Sequence, residues 1–374
     1  MIEPKTSAVS DQSSDSLNVH THTGVPAPKN PITPPENSMA TSAEHAVNNA
    51  ITPIDRAIAS GAIPGAVLAV GTADGKAIRS AGYATITPAV ELIADDTWFD
   101  LASLTKVIFT TPAVLRLIDA GSLTLDDKLG DIFLDMESLV RDLTIRECLS
   151  HRTWLPAHVP LHLLGLTPTA LTKWILSQPW DMGPSVYSDI NFIFLGLMIE
   201  HLTGQRLIAM PLSPGLSFSP DPHQCAATEY CTWRQRILRG EVHDDNAFAL
   251  GGAAGHAGLF GTASAVIDFA RNLLVGEGWS SISLNSMRTP QSATRTLGWE
   301  LRHEGWSGGD KADRGSIGHT GFTGTGLWID FERGVTWTLL TNRVHPSRTR
   351  ETGIQDLRRI VGDLVIESFN GRHS

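Results

Sequence analysis

Residues 99–106 read FDLASLTK, and they join the end of an aromatic strand to the start of a long apolar helix. Ser103 and Lys106 are three positions apart, so their side chains share one face of a helix. The amino end of a helix also offers free backbone N–H groups and the positive end of the helix dipole. A serine there has an oxyanion donor in its own peptide unit, provided that the chain turns tightly. The spacing therefore favours a nucleophilic Ser103 with Lys106 beside it.

This pair needs support from elsewhere in the sequence. Serine is a weak nucleophile and needs an adjacent base. Lys106 can be that base only if burial or a neighbouring cation lowers its pKa. The same four-residue pattern also occurs by chance, as a helix cap followed by a solvated lysine.

The composition is that of an ordinary globular protein, with 374 residues, 41% hydrophobic and 18% charged. A net charge of −10 gives no reason to expect nucleic acid or an anionic membrane as a partner. No segment approaches the roughly 18 apolar residues of a membrane span. The three cysteines lack metal-ligand spacing and favour reduced thiols over a disulfide framework.

Residues 1–43 are rich in Ser, Pro, Asn and Thr, and this composition predicts a disordered tail. The tail lacks the basic start and the apolar run of about 7–15 residues that a signal peptide needs. We therefore expect a cytoplasmic protein. A leader lost from the N-terminus would instead place it in the periplasm or outside the cell.

Strand patterns lie near both ends of the chain and helical patterns lie in the middle. This distribution predicts a mixed α/β domain formed by residues 44–106 and 276–374, with a mainly helical domain at 107–275. Pro53 is expected to kink the first helix or to mark its start. The predicted strands are 64–71, 77–83, 296–302, 316–318, 326–330 and 335–341, and the main predicted helices are 46–60, 144–149, 168–177, 190–203, 263–274 and 353–369.

Tyr187 is a second candidate for chemistry, because it lies between a Gly-Pro turn and an apolar helix. A neighbouring ammonium group favours the phenolate form of a tyrosine. Tyr187 could then take the proton of Ser103 and return it to a leaving group. An ordinary half-buried tyrosine is the alternative.

The segment HTGF at residues 319–322 lies at the edge of a predicted strand and is followed by further glycines. Glycine lets a substrate approach the backbone closely, and a strand edge offers N–H groups to an oxyanion. A glycine-rich hairpin with an exposed His319 is the alternative.

Two segments, GEVHDDNA at 240–247 and GHAG at 255–258, carry clustered histidine and acidic residues. Neither has the spacing of a metal site, so we expect no metal and no organic cofactor. An acidic turn with capping Asp and Asn is the simpler interpretation. The sequence leaves the roles of His243, Asp244 and His256 open, and His151 is interpreted as structural.

Ser103-x-x-Lys106, Tyr187-x-Asp189 and the HTG triplet at 319–321 follow one another on a helix start, a loop and a strand. In this order they resemble the motifs of the serine β-lactamase and penicillin-binding-protein superfamily, of the class C β-lactamase type. The resemblance implies an α/β fold in which an antiparallel sheet is flanked by helices and carries an all-helical insertion domain.

The resemblance also implies the roles of the site residues. Ser103 would be the nucleophile that forms an acyl-enzyme, and Lys106 and Tyr187 would form its base system. The backbone N–H groups of Ser103 and Phe322 would form the oxyanion hole. The expected substrate contacts are Asp189, His319, Thr320 and Gly321.

Two residues depart from the pattern of class C β-lactamases. Asp189 stands where those enzymes carry asparagine, and His319 replaces the lysine of many β-lactamases. Lysine is a fixed charge and histidine is not, so both changes alter how a substrate carboxylate is held. We therefore expect inefficient hydrolysis of β-lactams.

Four further segments resemble a subgroup that includes bacterial N-acetylmuramyl-L-alanine amidases of cell-wall recycling. By this resemblance we expect a serine hydrolase that cleaves an amide bond in muramyl peptides derived from peptidoglycan. An esterase, β-lactamase or D-alanyl-D-alanine carboxypeptidase with the same machinery, or a non-catalytic ligand-binding relative, are the alternatives. The sequence does not indicate an oligomeric state. The four segments are 227–229, 240–247, 255–260 and 341–346.

Overall fold

The computed structural model describes residues 40–370. The predicted disorder of residues 1–39 lies outside the described residues. Residues 40–43 belong to a helix, so the predicted tail is wrong there. Ser42 and Ala43 are buried, because the helix packs its first turns against the rest of the molecule.

Seven strands form the main sheet, in the order β3-β2-β1-β12-β11-β10-β9, with every neighbouring pair antiparallel. Strands β4, β8 and β5 form a small second sheet, and β6 and β7 form a hairpin. The strands are β1 Gly65–Thr72, β2 Lys76–Thr85, β3 Glu91–Leu92, β4 Trp98–Asp100, β5 Leu216–Ser217, β6 Ala227–Cys231, β7 Arg236–Arg239, β8 Phe260–Thr262, β9 Glu300–Leu301, β10 Ile317–Thr320, β11 Gly326–Asp330 and β12 Val335–Thr341.

Helices cover both faces of the main sheet and fill the middle of the chain. A π-helical turn, Lys106–Thr110, precedes the second α-helix. The α-helices are α1 Ala40–Ala59, α2 Thr111–Asp119, α3 Leu129–Ile132, α4 Ile145–Leu149, α5 Pro168–Ser177, α6 Asp189–Thr203, α7 Asp245–Ala249, α8 Ala263–Val275, α9 Ser281–Arg288 and α10 Ile354–Glu367.

Strand β1 is buried along its whole length because both faces of the sheet are covered. Its side chains alternate between two hydrophobic cores, as the period of a strand requires. Val67 and Ala69 enter the core on the side of α8, whereas Leu68 and Val70 enter the core on the side of α1 and α10. The antiparallel sheet with flanking helices is thereby confirmed.

Three details differ from the sequence predictions. Pro53 does not mark the start of α1, which runs through it from Ala40 to Ala59. The section 107–275 is not all-helical, because it also carries β5, β6, β7 and β8. Helix α8, predicted as part of that section, packs on β1 and β12 of the main sheet. The boundaries of the two predicted domains stay a prediction.

The predicted strands at 326–330 and 335–341 are confirmed as β11 and β12, and the predicted helix at 168–177 is confirmed as α5. The strand expected at 296–302 shrinks to the two residues of β9. Within residues 40–370, no helix is long and apolar enough to cross a membrane.

Candidate active site

Ser103 lies in a tight turn between β4 and the π-helical turn that begins at Lys106. Ala102 has φ +48°, a left-handed conformation that costs a non-glycine residue about 1–2 kcal/mol. Two hydrogen bonds hold Ala102 in this conformation. The Ala102 N–H donates to Asp100 Oδ1 at 2.8 Å, and Thr105 Oγ1 donates to the Ala102 carbonyl at 2.6 Å. The turn thus presents Ser103 at the mouth of the helix, half-buried.

Lys106 is completely buried, and its ammonium group has three hydrogen-bond acceptors. Nζ donates to Ser103 Oγ at 3.0 Å, to Asp189 Oδ1 at 2.8 Å and to the His256 carbonyl at 3.1 Å. Since an ammonium group has three protons, all of them are placed. The expected contact between Ser103 and Lys106 is therefore present, together with two partners that the spacing did not indicate.

The charges around Lys106 do not meet the condition for a neutral lysine base, which is a lowered pKa. Burial alone would lower the pKa of Lys106, but the Asp189 carboxylate, together with Tyr187, raises it above its ordinary value. Burial would likewise raise the pKa of Asp189, and Lys106 with His158 brings it far below its ordinary value. Lys106 is therefore a cation that donates to Ser103 and not a neutral base.

Tyr187 lies beside this cation and is supported from below by His151. Lys106 Nζ is 5.0 Å from the centroid of the Tyr187 ring, and the Arg295 guanidinium is 5.2 Å from it. The His151 ring lies 4.4 Å from the Tyr187 ring, and its Nδ1 accepts the Ser188 N–H at 3.1 Å. His151 is thus a positioning residue for Tyr187, which its place in the sequence did not reveal.

His319 faces Tyr187 from β10, with ring centroids 5.8 Å apart. Burial, reinforced by Arg295 and Lys106, holds the pKa of His319 well below its ordinary value. Nδ1 donates to the Thr320 carbonyl at 3.0 Å, so Nε2 carries the lone pair of a neutral imidazole. This position therefore supplies a neutral acceptor, whereas a lysine would supply a fixed charge.

The strand end after His319 is held close to the nucleophile turn. Thr323 Oγ1 donates to the Asp100 carbonyl at 2.7 Å, and Thr325 Oγ1 donates to the Leu101 carbonyl at 3.0 Å. A side chain at Gly321 would bring its Cβ within 2.5 Å of the Leu101 carbonyl, so only glycine allows this approach. The buried Arg358 donates from α10 to the carbonyl of Gly321 at 2.9 Å. These contacts set the position of the Phe322 backbone relative to Ser103.

Asp100 holds the nucleophile turn in place, and the sequence analysis did not single it out. Its carboxylate is buried and accepts the Ala102 N–H with one oxygen and the His243 N–H with the other, at 2.6 Å. It therefore ties the nucleophile turn to the segment 240–247. Its position in the sequence, at the end of an aromatic strand and shortly before the Ser-x-x-Lys pattern, could have indicated this role.

Replacing Asp100 by asparagine is expected to lower the free energy of unfolding by about 2 kcal/mol, because an amide group turns N–H donors toward a backbone N–H donor. The measurement is urea unfolding, with the exposed Asp96→Asn as the matched control, expected to change stability by less than about 0.5 kcal/mol. Equal unfolding midpoints for both variants would show that Asp100 does not hold the turn.

The residues whose roles were open form pairs around the nucleophile. The His256 side chain contacts Asp244 Oδ1 at 2.9 Å while its carbonyl accepts from Lys106. His243 lies 3.2 Å from Glu229. Burial alone would raise the pKa of Glu229, but His243 and Arg348 lower it to about 2. Asp244 also caps α7, as predicted for an acidic turn. Within residues 40–370, no cluster of three His, Cys, Asp or Glu side chains is arranged to hold a metal ion.

Two cavities of about 380 Å³ each meet at Ser103. Every site residue predicted from the sequence lines the first, except Lys106, which lies beneath it. This arginine cavity is defined by Arg295, Arg343 and Arg358, which the sequence analysis did not single out. The second, the histidine cavity, is defined by His158, His162, His243, Asp244, Asp245 and Arg348.

We expect the stability of the fold to fall at acidic pH because of two buried histidines, His151 and His319. Burial holds the pKa of both His151 and His319 well below the ordinary value. Below about pH 6.5 the unfolded chain therefore binds more protons than the folded protein. The free energy of unfolding is highest above about pH 6.5, and each imidazole lowers it by up to about 1.4 kcal/mol for every pH unit below that value. Urea unfolding between pH 8 and 5 should show that the free energy of unfolding of His319→Gln falls less steeply with pH than that of the wild type. The exposed His223→Gln should keep the wild-type slope, and identical slopes for all three proteins would contradict a neutral His319.

Comparisons with known proteins agree with this geometry. A family model described as Beta-lactamase matches residues 48–360. An N-acetylmuramyl-L-alanine amidase of Bacillus subtilis (strain 168) is 31% identical over 363 residues, covering 78% of this chain and 80% of the relative. A protein of Escherichia coli (strain K12), provisionally named D-alanyl-D-alanine carboxypeptidase, is 30% identical over 304 residues, which cover 67% of this chain and 70% of the relative.

Among solved structures, EstCE1, a hydrolase with promiscuous acyltransferase activity, superposes with a TM-score of 0.69 at 21% identity, covering 87% of this chain and 100% of that one. This likeness supports the fold. The family match and the relatives together support an enzyme. The chain therefore belongs to the beta-lactamase family and is a serine hydrolase of that superfamily.

Proposed function

We propose that this protein is an amidase that releases the peptide from the lactyl group of muramyl peptides, by way of an acyl-enzyme on Ser103. The observation that carries the acyl-enzyme is the contact of 3.0 Å between Ser103 Oγ and the Lys106 ammonium. The substrate class is supported by the similarity to the amidase of Bacillus subtilis over most of both chains.

In the proposed first step, Ser103 Oγ attacks the lactyl carbonyl carbon, and its proton passes to Tyr187, which acts as the phenolate. Lys106 and Arg295, both beside the Tyr187 ring, stabilise the negative charge as it moves. The backbone N–H groups of Ser103 and Phe322 would bind the oxyanion. The carbon–nitrogen bond then breaks, and Tyr187 gives the proton to the leaving amine.

In the second step, water attacks the ester carbon, and Tyr187 takes a proton from this water. The bond to Ser103 Oγ breaks, and Tyr187 returns the proton to the serine. The products are the free lactyl carboxylate of the sugar and an intact peptide. Lys106 stays protonated throughout, because its pKa is raised and its protons are held by three acceptors.

The test is mass spectrometry of a defined muropeptide mixture after incubation with the protein and, in parallel, with Ser103→Ala. We expect free N-acetylmuramic acid and intact peptides with the wild type and neither with the variant. Muropeptides that stay intact at this bond over long incubation would refute the proposal.

A carboxypeptidase is the second candidate, favoured by the similarity to the protein of Escherichia coli. Loss of a terminal D-alanine in the same experiment, without release of the sugar, would select it. Esterase or β-lactamase activity alone would appear as turnover of activated esters or penicillin with all muropeptides unchanged.

A further inference from the structure

We infer that the histidine cavity binds the sugar of a muramyl peptide while the arginine cavity binds its peptide, an assignment that rests on the function proposed above. The starting observation is that Ser103, Asp189 and Phe322 line both cavities. A substrate whose carbonyl carbon lies at Ser103 therefore has one cavity for each of its two ends.

The charges of the two cavities differ. The arginine cavity contains three guanidinium groups and one carboxylate besides Asp189, that of Glu300. In the histidine cavity, the Arg348 side chain is already paired, since its Nε donates to Glu229 at 2.6 Å. The carboxylates of this cavity are paired as well, since Asp244 Oδ1 lies 2.9 Å from His256, Asp245 Oδ1 lies 2.7 Å from Arg234 and Asp189 Oδ1 lies 2.8 Å from Lys106. An anionic group therefore fits the arginine cavity, whereas the arginine that lines the histidine cavity is already paired with a carboxylate.

The two ends of a muramyl peptide differ in the same way. The carboxyl group of its lactyl arm is consumed in the amide bond, so the sugar end bears only hydroxyl and acetamide groups. The peptide end carries free carboxylates, which pair well with the planar guanidinium of arginine. Charge complementarity therefore orients the substrate. The sugar stays attached through the acyl-enzyme while the peptide amine leaves.

The side chains of the histidine cavity suit a neutral sugar. His158 is exposed and His162 is half-buried. His158 Nδ1 faces Asp189 Oδ2 at 3.8 Å and His162 Nδ1 lies 3.3 Å from Asn246 Oδ1, which leaves the Nε2 atom of each ring to contact a hydroxyl group. The Phe322 side chain, 50% exposed, stacks on His243 with ring centroids 5.6 Å apart. This pair gives a rigid apolar face beside polar groups, which is the usual composition of a small-molecule site.

The experiment compares two substrates with the same scissile amide, N-acetylmuramyl-L-alanyl-D-glutamate and D-lactyl-L-alanyl-D-glutamate. The quantity measured is the ratio of their kcat/KM values. We expect the double variant His158→Gln, His162→Gln to lower this ratio about tenfold, because two polar contacts to the sugar are lost. The matched control is His223→Gln, an exposed histidine outside both cavities, which should keep the ratio within about twofold. Thermal unfolding of each variant confirms that it is folded.

A second measurement does not depend on amidase activity. N-acetylglucosamine should inhibit the hydrolysis of a small activated ester by the wild type, with an inhibition constant raised at least about fivefold in the double variant. If the muramyl peptide is not cleaved but this inhibition depends on the two histidines, the proposed function fails and the sugar subsite stands. If the muramyl peptide is cleaved and neither the ratio nor the inhibition changes in the double variant, the assignment of the cavities is overturned.

Discussion

Replacing Ser103 by alanine is expected to lower kcat/KM for every amide or ester substrate by at least about 10⁴-fold, because no acyl-enzyme can form without the nucleophile. The fold should survive. Lys106 loses one acceptor but keeps Asp189 and the His256 carbonyl. We therefore expect the free energy of unfolding to change by no more than about 1 kcal/mol.

The measurement pairs steady-state kinetics with intact-protein mass spectrometry after addition of an activated ester. The wild type should gain the mass of one acyl group, and Ser103→Ala should gain none. The exposed Ser60→Ala is the matched control and should be acylated like the wild type. An acyl group that still appears on Ser103→Ala would identify a different nucleophile and would contradict the proposed chemistry.

The sequence predicted those parts of the site that depend on neighbouring positions. Ser103 and Lys106 meet because three residues span one helical turn. Gly321 was predicted as a substrate contact, and the structure adds its close approach to the nucleophile turn. The order of the motifs then identified the family, and with it the sheet and its flanking helices. Local spacing and order were sufficient for these features.

Features that depend on long-range packing were not predicted. Asp189 lies 83 residues from Lys106 in sequence, and together with Tyr187 it raises the pKa of the lysine. His151 lies under Tyr187 only because the start of α6 folds back onto it. Arg358 reaches the site from the last helix, where one arginine in an amphipathic pattern carries no signal. Pro53 shows the same limit, because the proline itself does not indicate that α1 begins well before it, at Ala40.

Replacing Asp189 by asparagine is expected to destabilise the protein by about 3 kcal/mol, because it leaves a buried ammonium group without its carboxylate. The Lys106 side chain is 0% exposed, so water does not reach its ammonium group in place of the carboxylate. The remaining acceptors of Lys106, Ser103 and a carbonyl, are neutral. Without the carboxylate, burial is no longer opposed, and the pKa of Lys106 should fall below its ordinary value.

The pH dependence gives this prediction a distinct signature. In the wild type, the lowered pKa of Asp189 contributes stability that is present above about pH 3.9 and lost as the pH falls. The raised pKa of Lys106 contributes stability that is present below about pH 10.4 and lost as the pH rises. In the variant, the contribution of Lys106 to the free energy of unfolding rises with pH, because the buried lysine loses its proton at a lower pH than it does in the unfolded chain. The difference in stability between the two proteins should therefore be largest between about pH 5 and 9 and shrink toward pH 10.5.

Urea unfolding at several pH values measures this difference, with the exposed Asp181→Asn as the matched control. Activity should fall as well, by about 10²-fold in kcat, because Lys106 without Asp189 loses its proton more readily and stabilises less of the charge that develops on Ser103 and Tyr187. A variant with wild-type stability at pH 7 would show that the ion pair contributes little. A variant that is destabilised but fully active would show that the charge of Lys106 holds the fold and takes no part in the reaction. Loss of both is the expected result, because the same buried ammonium group contacts the nucleophile and completes the ion pair beneath it.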